Sequence, residues 1–91
     1  MFVLVIYDVS DNKRRHRLHR ELKNVAEPVQ YSAFEGELAS KPLQGLCRRM
    51  EAIVDPSEDG VRVYRLCREC REKARIIGRG EPTEYPEVVL V

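Results

Sequence analysis

Phe2-Val3-Leu4-Val5-Ile6-Tyr7-Asp8, continued by Val9-Ser10-Asp11 and then Lys13-Arg14-Arg15-His16-Arg17-Leu18-His19-Arg20, is the stretch on which the fold turns. The run of Val, Leu and Ile reads as a strand buried on both faces, and so as the central strand of a sheet. Ser10 or Asp11 offers a short oxygen-bearing side chain to the first N–H groups of a helix. That helix runs to about Val25, with Leu18, Leu22 and Val25 spaced as one buried stripe. Its other positions are mostly cationic: Lys13, Arg14, Arg15, Arg17, Arg20 and Lys23 stand against a single acid, Glu21. A carboxylate at the end of a rigid strand is a place for a hard cation, and the cationic helix beside it is a surface for a phosphate backbone. The two features together point to metal and nucleic acid at one place.

Beyond the helix, Pro28 opens an edge strand. Val29-Gln30-Tyr31-Ser32-Ala33-Phe34-Glu35-Gly36-Glu37-Leu38 alternates, as one bent strand or a short strand pair, with Gly36 at a bulge or tight turn. Ser40 caps a second helix that tolerates Pro42 in its first turn. Leu43, Leu46, Cys47, Met50, Ile53 and Val54 give that helix the clearest amphipathic spacing in the chain. Asp55-Pro56-Ser57-Glu58-Asp59-Gly60 is a turn cluster. Val61 to Leu66 is a strand, Cys67 to Lys73 a short helical link, Ala74 to Gly78 a further strand, and Glu87 to Val91 an apolar terminal strand. The order fits a single α+β domain, residues 1–91, built as a ferredoxin-like βαββαβ sandwich with an additional C-terminal strand. That last strand, about 87–91, needs an edge to pair with, and a second copy of the chain would supply one.

A 91-residue chain buries a modest core, which favours a homodimer. Net charge is only +1, so the distribution of charge carries the argument: a basic segment from 13 to 23 and an acidic one at Glu51, Asp55, Glu58 and Asp59. The asymmetry points to a local anionic partner. No run is long enough for a membrane span, Met1 leads straight into a strand, and three cysteines make no disulfide framework, so a cytoplasmic location is expected. His16 and His19, at i and i+3, read as solvent-facing residues. Cys67-Arg68-Glu69-Cys70 has redox or zinc-knuckle spacing, but zinc wants two more ligands and only Cys47 and the histidines remain, so the thiols read as structural. Tyr7, Tyr31 and Phe34 are able to stack on bases, although strand aromatics are more often core, and Tyr31 is expected there.

The blocks Tyr7-Asp8-Val9-Ser10-Asp11 plus basic helix, and Val29 to Leu38, resemble CRISPR-associated protein 2, the small subunit of the spacer-acquisition machinery. The resemblance covers the whole chain in length and element order. It implies a ferredoxin-like homodimer and a magnesium-dependent endonuclease acting on RNA in some members and DNA in others. It also implies a scaffold that bridges dimers of the CRISPR-associated protein 1 integrase while prespacer DNA lies across the assembly. By that resemblance Asp8 is the metal-binding aspartate, and Tyr7, Phe34, Arg15 and Arg17 fall on other positions implicated in activity. The phosphate-contacting set is Arg14, Arg15, Arg17 and Arg20. Some members carry an arginine where this chain has Pro28, which tilts the reading slightly toward the scaffold. A metal-dependent endonuclease, a non-catalytic scaffold and a small ferredoxin-like ligand-binding module are the three classes weighed, with a ribonuclease toxin of similar fold ranked below the first two. Cofactor Mg2+, partners DNA, RNA and the integrase, and no membrane, complete the expectation.

Overall fold

The computed structural model describes residues 1–30 and 32–80. Strand β1 (Phe2–Asp8) leads to helix α1 (Asn12–Lys23), the short strands β2 (Glu27–Gln30) and β3 (Ala33–Glu37), helix α2 (Ser40–Ile53), strand β4 (Gly60–Leu66) and a one-turn helix α3 (Arg68–Glu72). The sheet has the order β2-β3-β1-β4, and every neighbouring pair is antiparallel. This is the ferredoxin-like arrangement, with β1 central.

Alternation along β1 decides which side chains reach the core. Val3, Val5 and Tyr7 are buried, and they pack with Phe34 of β3, Leu18 and Leu22 of α1, and Leu43, Leu46, Met50 and Ile53 of α2. The other face of β1 departs from the sequence expectation of burial on both sides. Leu4 is only half-buried, Ile6 is 39% exposed and Asp8 is exposed, because the two long helices cover one face of the sheet and leave the other open. Phe2 shares that open face yet is buried, since the Arg71 guanidinium of α3 lies 4.4 Å from its ring centroid.

Local chemistry sets the element ends. Asp11, not Ser10, caps α1: its carboxylate accepts from the Arg14 N–H at 2.9 Å. The helix closes at Lys23, two residues before Val25, which is half-buried beside the core. Helix α2 differs from expectation, because Ser40 is its first helical residue and makes no cap. The first intrahelical bond runs from Leu43 N–H to the Ala39 carbonyl, and the Ala39 side chain has nothing to donate or accept. Pro42 sits in the first turn, where a missing N–H costs no hydrogen bond.

Residues 29–38 form a strand pair rather than one bent strand, and the register irregularity lies between Pro28 and Gln30, not at Gly36. Gly36 is needed for a close approach: a Cβ there would stand 2.9 Å from the Val25 carbonyl oxygen and 3.1 Å from the Ala26 Cβ. The segment that follows α1, at Val25 and Ala26, therefore rests directly on the β3 backbone. The strand expected at 74–78 is absent. After α3 the chain leaves the sheet, and positive φ at Gly78 (85°) and Gly80 (133°) interrupts any extended run, leaving Ile77 85% exposed. The expected core position of Tyr31 and the terminal strand at 87–91 lie outside the described residues.

Gly36→Ala should destabilise the fold by about 1–3 kcal/mol, because the added methyl meets fixed backbone rather than a side chain that can swing away. Urea denaturation of variant and parent at one protein concentration checks this; an unchanged midpoint would show that the Val25–Ala26 segment does not rest on β3 as described.

Candidate metal and nucleic-acid sites

The four aspartates of the chain, Asp8, Asp11, Asp55 and Asp59, belong to two segments that the β1–β4 pairing brings together, Asp8 lying opposite Gly60. Three of them are committed. Asp11 caps α1. Asp55 Oδ1 accepts from the Ser57 N–H at 2.9 Å and from the Ser57 hydroxyl at 2.7 Å, which depresses its carboxyl below the usual range. Asp59, with no exposed side-chain surface, accepts from Arg14 Nε at 2.7 Å and Nη2 at 3.3 Å, and its Oδ2 also accepts from the Asp55 N–H at 2.8 Å. Those donors lower the Asp59 carboxyl, the Arg14 hydrogen bond most, and the same bond raises the Arg14 guanidinium.

Asp8 is the uncommitted one. It is exposed, it sits on the open sheet face, and its carboxylate makes no hydrogen bond or ion pair with the described residues. No group of three His, Cys, Asp or Glu side chains able to hold a metal exists among the described residues. Of the four aspartates, one chain therefore offers a hard cation only Asp8 at this strand end. That fits magnesium, which keeps several waters and takes one or two carboxylates plus substrate phosphate. It leaves room for a second carboxylate from elsewhere.

The residues expected to act with Asp8 have different positions. Tyr7 (3% exposed) and Phe34 (0%) are core residues, stacked with ring centroids 6.3 Å apart, and they face the helices, away from Asp8. Burial pushes the Tyr7 phenol up, with the Arg15 guanidinium pulling it back. His19 rests edge-on against Phe34 at 5.2 Å. Arg15 donates from Nη1 to the carbonyls of Val9 (3.3 Å) and Ser10 (3.2 Å) and from Nη2 to Asn12 Oδ1. It therefore fixes the loop that follows Asp8, and it has fewer donors left for phosphate.

Of the four arginines expected to meet phosphate, Arg14 is clamped to Asp59 and also reaches Glu58 Oε2 at 3.0 Å, so the acidic turn answers much of the basic helix from within the molecule. Arg17 and Arg20 make no ion pair with the described residues. They line an open cleft of about 230 Å³ between α1 and α2, together with Glu21, Arg49, Ala52 and Ile53. Arg49 is the residue that sequence reading missed. Its Nε bonds Glu21 Oε2 at 2.8 Å, and Glu21, the lone acid of a basic helix, was the available hint. The cleft belongs to the helix layer and Asp8 to the opposite sheet face, so the structure separates the metal candidate from this cationic surface. Arg62 does share the Asp8 face, opposite Ile6 in register, and donates to the Tyr64 hydroxyl at 3.2 Å.

An antiparallel ferredoxin-like sandwich with an uncommitted strand-end carboxylate and a basic first helix defines a class of small α+β proteins. Residues 1–74 match the family model described as CRISPR associated protein Cas2. A Chloroflexus aurantiacus protein named CRISPR-associated endoribonuclease Cas2 3 is 35% identical over 93% of this chain and 96% of its own length. A Synechocystis protein named CRISPR-associated endoribonuclease Cas2 2 is 40% identical over 99% and 98%. Among solved structures, a hypothetical protein from Thermus thermophilus superposes with a TM-score of 0.79 at 32% identity, covering 88% of this chain and 93% of that one. A chain of a partial Cas6-RT-Cas1–Cas2 complex gives 0.73 at 26% identity, covering 84% and 89%. The chain belongs to the Cas2 family.

Arg14→Ala should lower thermal stability at neutral pH, because it strands a buried carboxylate. The Asp59 carboxyl is depressed in the folded state, so its contribution is present above the unfolded carboxylate value of about 3.9 and is lost as pH falls through the lower folded value. Melting curves from pH 7 to pH 2.5 should show parent and variant well apart above about pH 4 and converging below it. A gap that persists unchanged into acid would mean that the clamp contributes through packing alone.

Proposed function

We propose that this chain is the small subunit of a CRISPR spacer-acquisition complex. It acts as a homodimer that binds nucleic acid without reading its sequence, joins a Cas1-type integrase, and hydrolyses RNA with a divalent metal held at Asp8. The observation that carries the catalytic part is the free Asp8 carboxylate among three committed aspartates. The naming of relatives as endoribonucleases supports the reaction, and the Cas1–Cas2 complex among the matching structures supports the partner.

Dimerisation is favoured by the open sheet face, where Ile6 (39%) and Tyr64 (42%) are exposed, and by exposed Ile76 and Ile77 after α3. Apolar groups so arranged call for cover. A second copy facing this sheet would bring a second Asp8 toward the first and complete the oxygen set. When bound there, magnesium would neutralise phosphate charge and supply a water acidified toward hydroxide. The protein's own part is to hold Asp8 at a strand end, with Arg15 pinning the next loop and Arg62 on the same face for a phosphate. The runner-up is a non-catalytic scaffold. It is favoured by Pro28 and by the placement of the Arg17–Arg20 cleft on the other face from Asp8.

Asp8→Asn keeps shape and removes the charge. Magnesium-dependent cleavage of single-stranded RNA should fall to background, while the sedimentation coefficient and duplex-DNA affinity stay those of the parent. A variant that cuts at the parental rate removes the metal from Asp8. A parent that never cuts, yet assembles with the integrase, establishes the scaffold reading.

Charge reversal at Arg17 and Arg20 should weaken duplex-DNA binding and flatten the log–log salt slope by about 0.9 for each phosphate that the protein ceases to neutralise. Reversal at Arg14 would instead act through unfolding. An unchanged slope in the Arg17→Glu, Arg20→Glu variant would move the DNA-binding surface to the β4–α3 arginines.

A further inference from the structure

Cys67 and Cys70 play no part in the site above, and they are not the structural thiols expected from sequence. Both are free and exposed. Cys67 directly follows β4 and caps α3, so the helical turn brings Cys70 back over it. The two sulfurs stand 3.2 Å apart, and the Cys70 N–H donates to Cys67 Sγ at 3.3 Å. That donor and the neighbouring thiol lower the Cys67 thiol, while contact with Cys67 raises the Cys70 thiol. The pair is therefore asymmetric, with one sulfur better suited to attack and the other to resolve.

A metal explains the pair poorly. Two thiolates on one tetrahedral zinc, with bonds of about 2.3 Å, stand roughly 3.8 Å apart, and no further ligands gather here among the described residues. A disulfide needs only a contraction of roughly 1 Å, to about 2.05 Å. We propose that Cys67 and Cys70 form a redox-active dithiol that closes reversibly to an intramolecular disulfide by exchange with small-molecule disulfides.

The exchange balances in two steps. The Cys67 thiolate attacks one sulfur of glutathione disulfide, forming a mixed disulfide and releasing one glutathione thiolate. Cys70 then loses its proton and attacks Cys67 Sγ, closing the ring and releasing the second glutathione thiolate. Two electrons pass from the protein to glutathione disulfide, and glutathione reverses the sequence. The closed form ties the end of β4 to α3, the helix whose Arg71 covers Phe2 and lies 3.6 Å from Glu37.

The full chain, equilibrated anaerobically in glutathione buffers of rising disulfide content, is acid-quenched, alkylated and read by intact and peptide mass. Two alkylation sites, Cys67 and Cys70, should be lost together, with a mass lower by two hydrogens, while Cys47 stays alkylatable; dithiothreitol should restore both. Cys70→Ser should accumulate a glutathione mixed disulfide at Cys67, and Cys67→Ser should form one at Cys70 several-fold more slowly. Both thiols remaining alkylatable at the most oxidising ratio would overturn the proposal. So would persistent mixed disulfides on both, cross-linked chains in place of the internal bond, or protection by zinc alone. Equal rates in the two variants would overturn the assignment of Cys67 as the attacking thiol.

Discussion

Successive side chains of a strand point to opposite faces, and in β1 that alternation partitions the whole molecule. Val3, Val5 and Tyr7 go to the helices and carry the core; Leu4, Ile6 and Asp8 go to the open face. A one-residue slip would bury Asp8 among Leu18, Leu22 and Phe34 and expose the apolar set. Register is therefore fixed by the core, and the position of the carboxylate follows from it. Every other element is hung on this strand: β3 and β4 pair with it on either side, α1 follows it, and α3 reaches back to cover Phe2.

Charge is the second organiser, and it acts mostly inside the molecule. The basic helix and the acidic turn at 55–59 are remote in sequence but meet through Arg14 and Asp59. The Arg14 fork fixes both the start of α1 and the turn leading into β4. Because β4 begins at Gly60, opposite Asp8, this clamp also steadies the strand end on which Asp8 sits. Arg15 does the same from the loop side. Two arginines that a sequence pattern assigns to an external phosphate are thus bound up in holding the site together. Arg17 and Arg20, further along the same helix, keep their charge available.

The fold was largely legible because its signals are local and strongly periodic. The i, i+3, i+4 spacing of α2 and the apolar run of β1 allow few alternatives, and the α1 stripe with its Asp11 cap differs from expectation only at the ends. The errors lie where a tertiary neighbour decides. Nothing in the run from Phe2 to Asp8 says that one face lacks a second layer, and only the position of Val25 explains Gly36. The strand expected at 74–78 fails because the chain leaves the sheet after α3 and positive φ at Gly78 and Gly80 interrupts the extended run, which apolar residues alone do not reveal. At the candidate site, the place of Asp8 at the end of a strand was legible from the apolar run before it. The burial of Tyr7 and Phe34 agrees with the tendency of strand aromatics to be core, and it was the family resemblance that drew both toward the site. The Arg14–Asp59 clamp was hidden by 45 residues of separation; an acidic turn and a basic helix in one small domain were its only trace.

The separation of the two candidate surfaces has a mechanistic consequence. Asp8 and Arg62 lie on the sheet face, and the Arg17–Arg20 cleft lies between the helices, so one phosphodiester cannot contact both within a single chain. A duplex held along the helix layer is kept away from Asp8, whereas a strand reaching Asp8 must approach the face that a second copy would cover. In a dimer closed over that face, access to the carboxylates depends on how far the two sheets part at their Asp8 ends. Under the proposed function, binding and cleavage then have separate geometric requirements, and each is open to loss without the other. Nothing in the core that fixes β1 depends on whether Asp8 ever holds a metal, so the fold stands whether or not the proposed hydrolytic site is used.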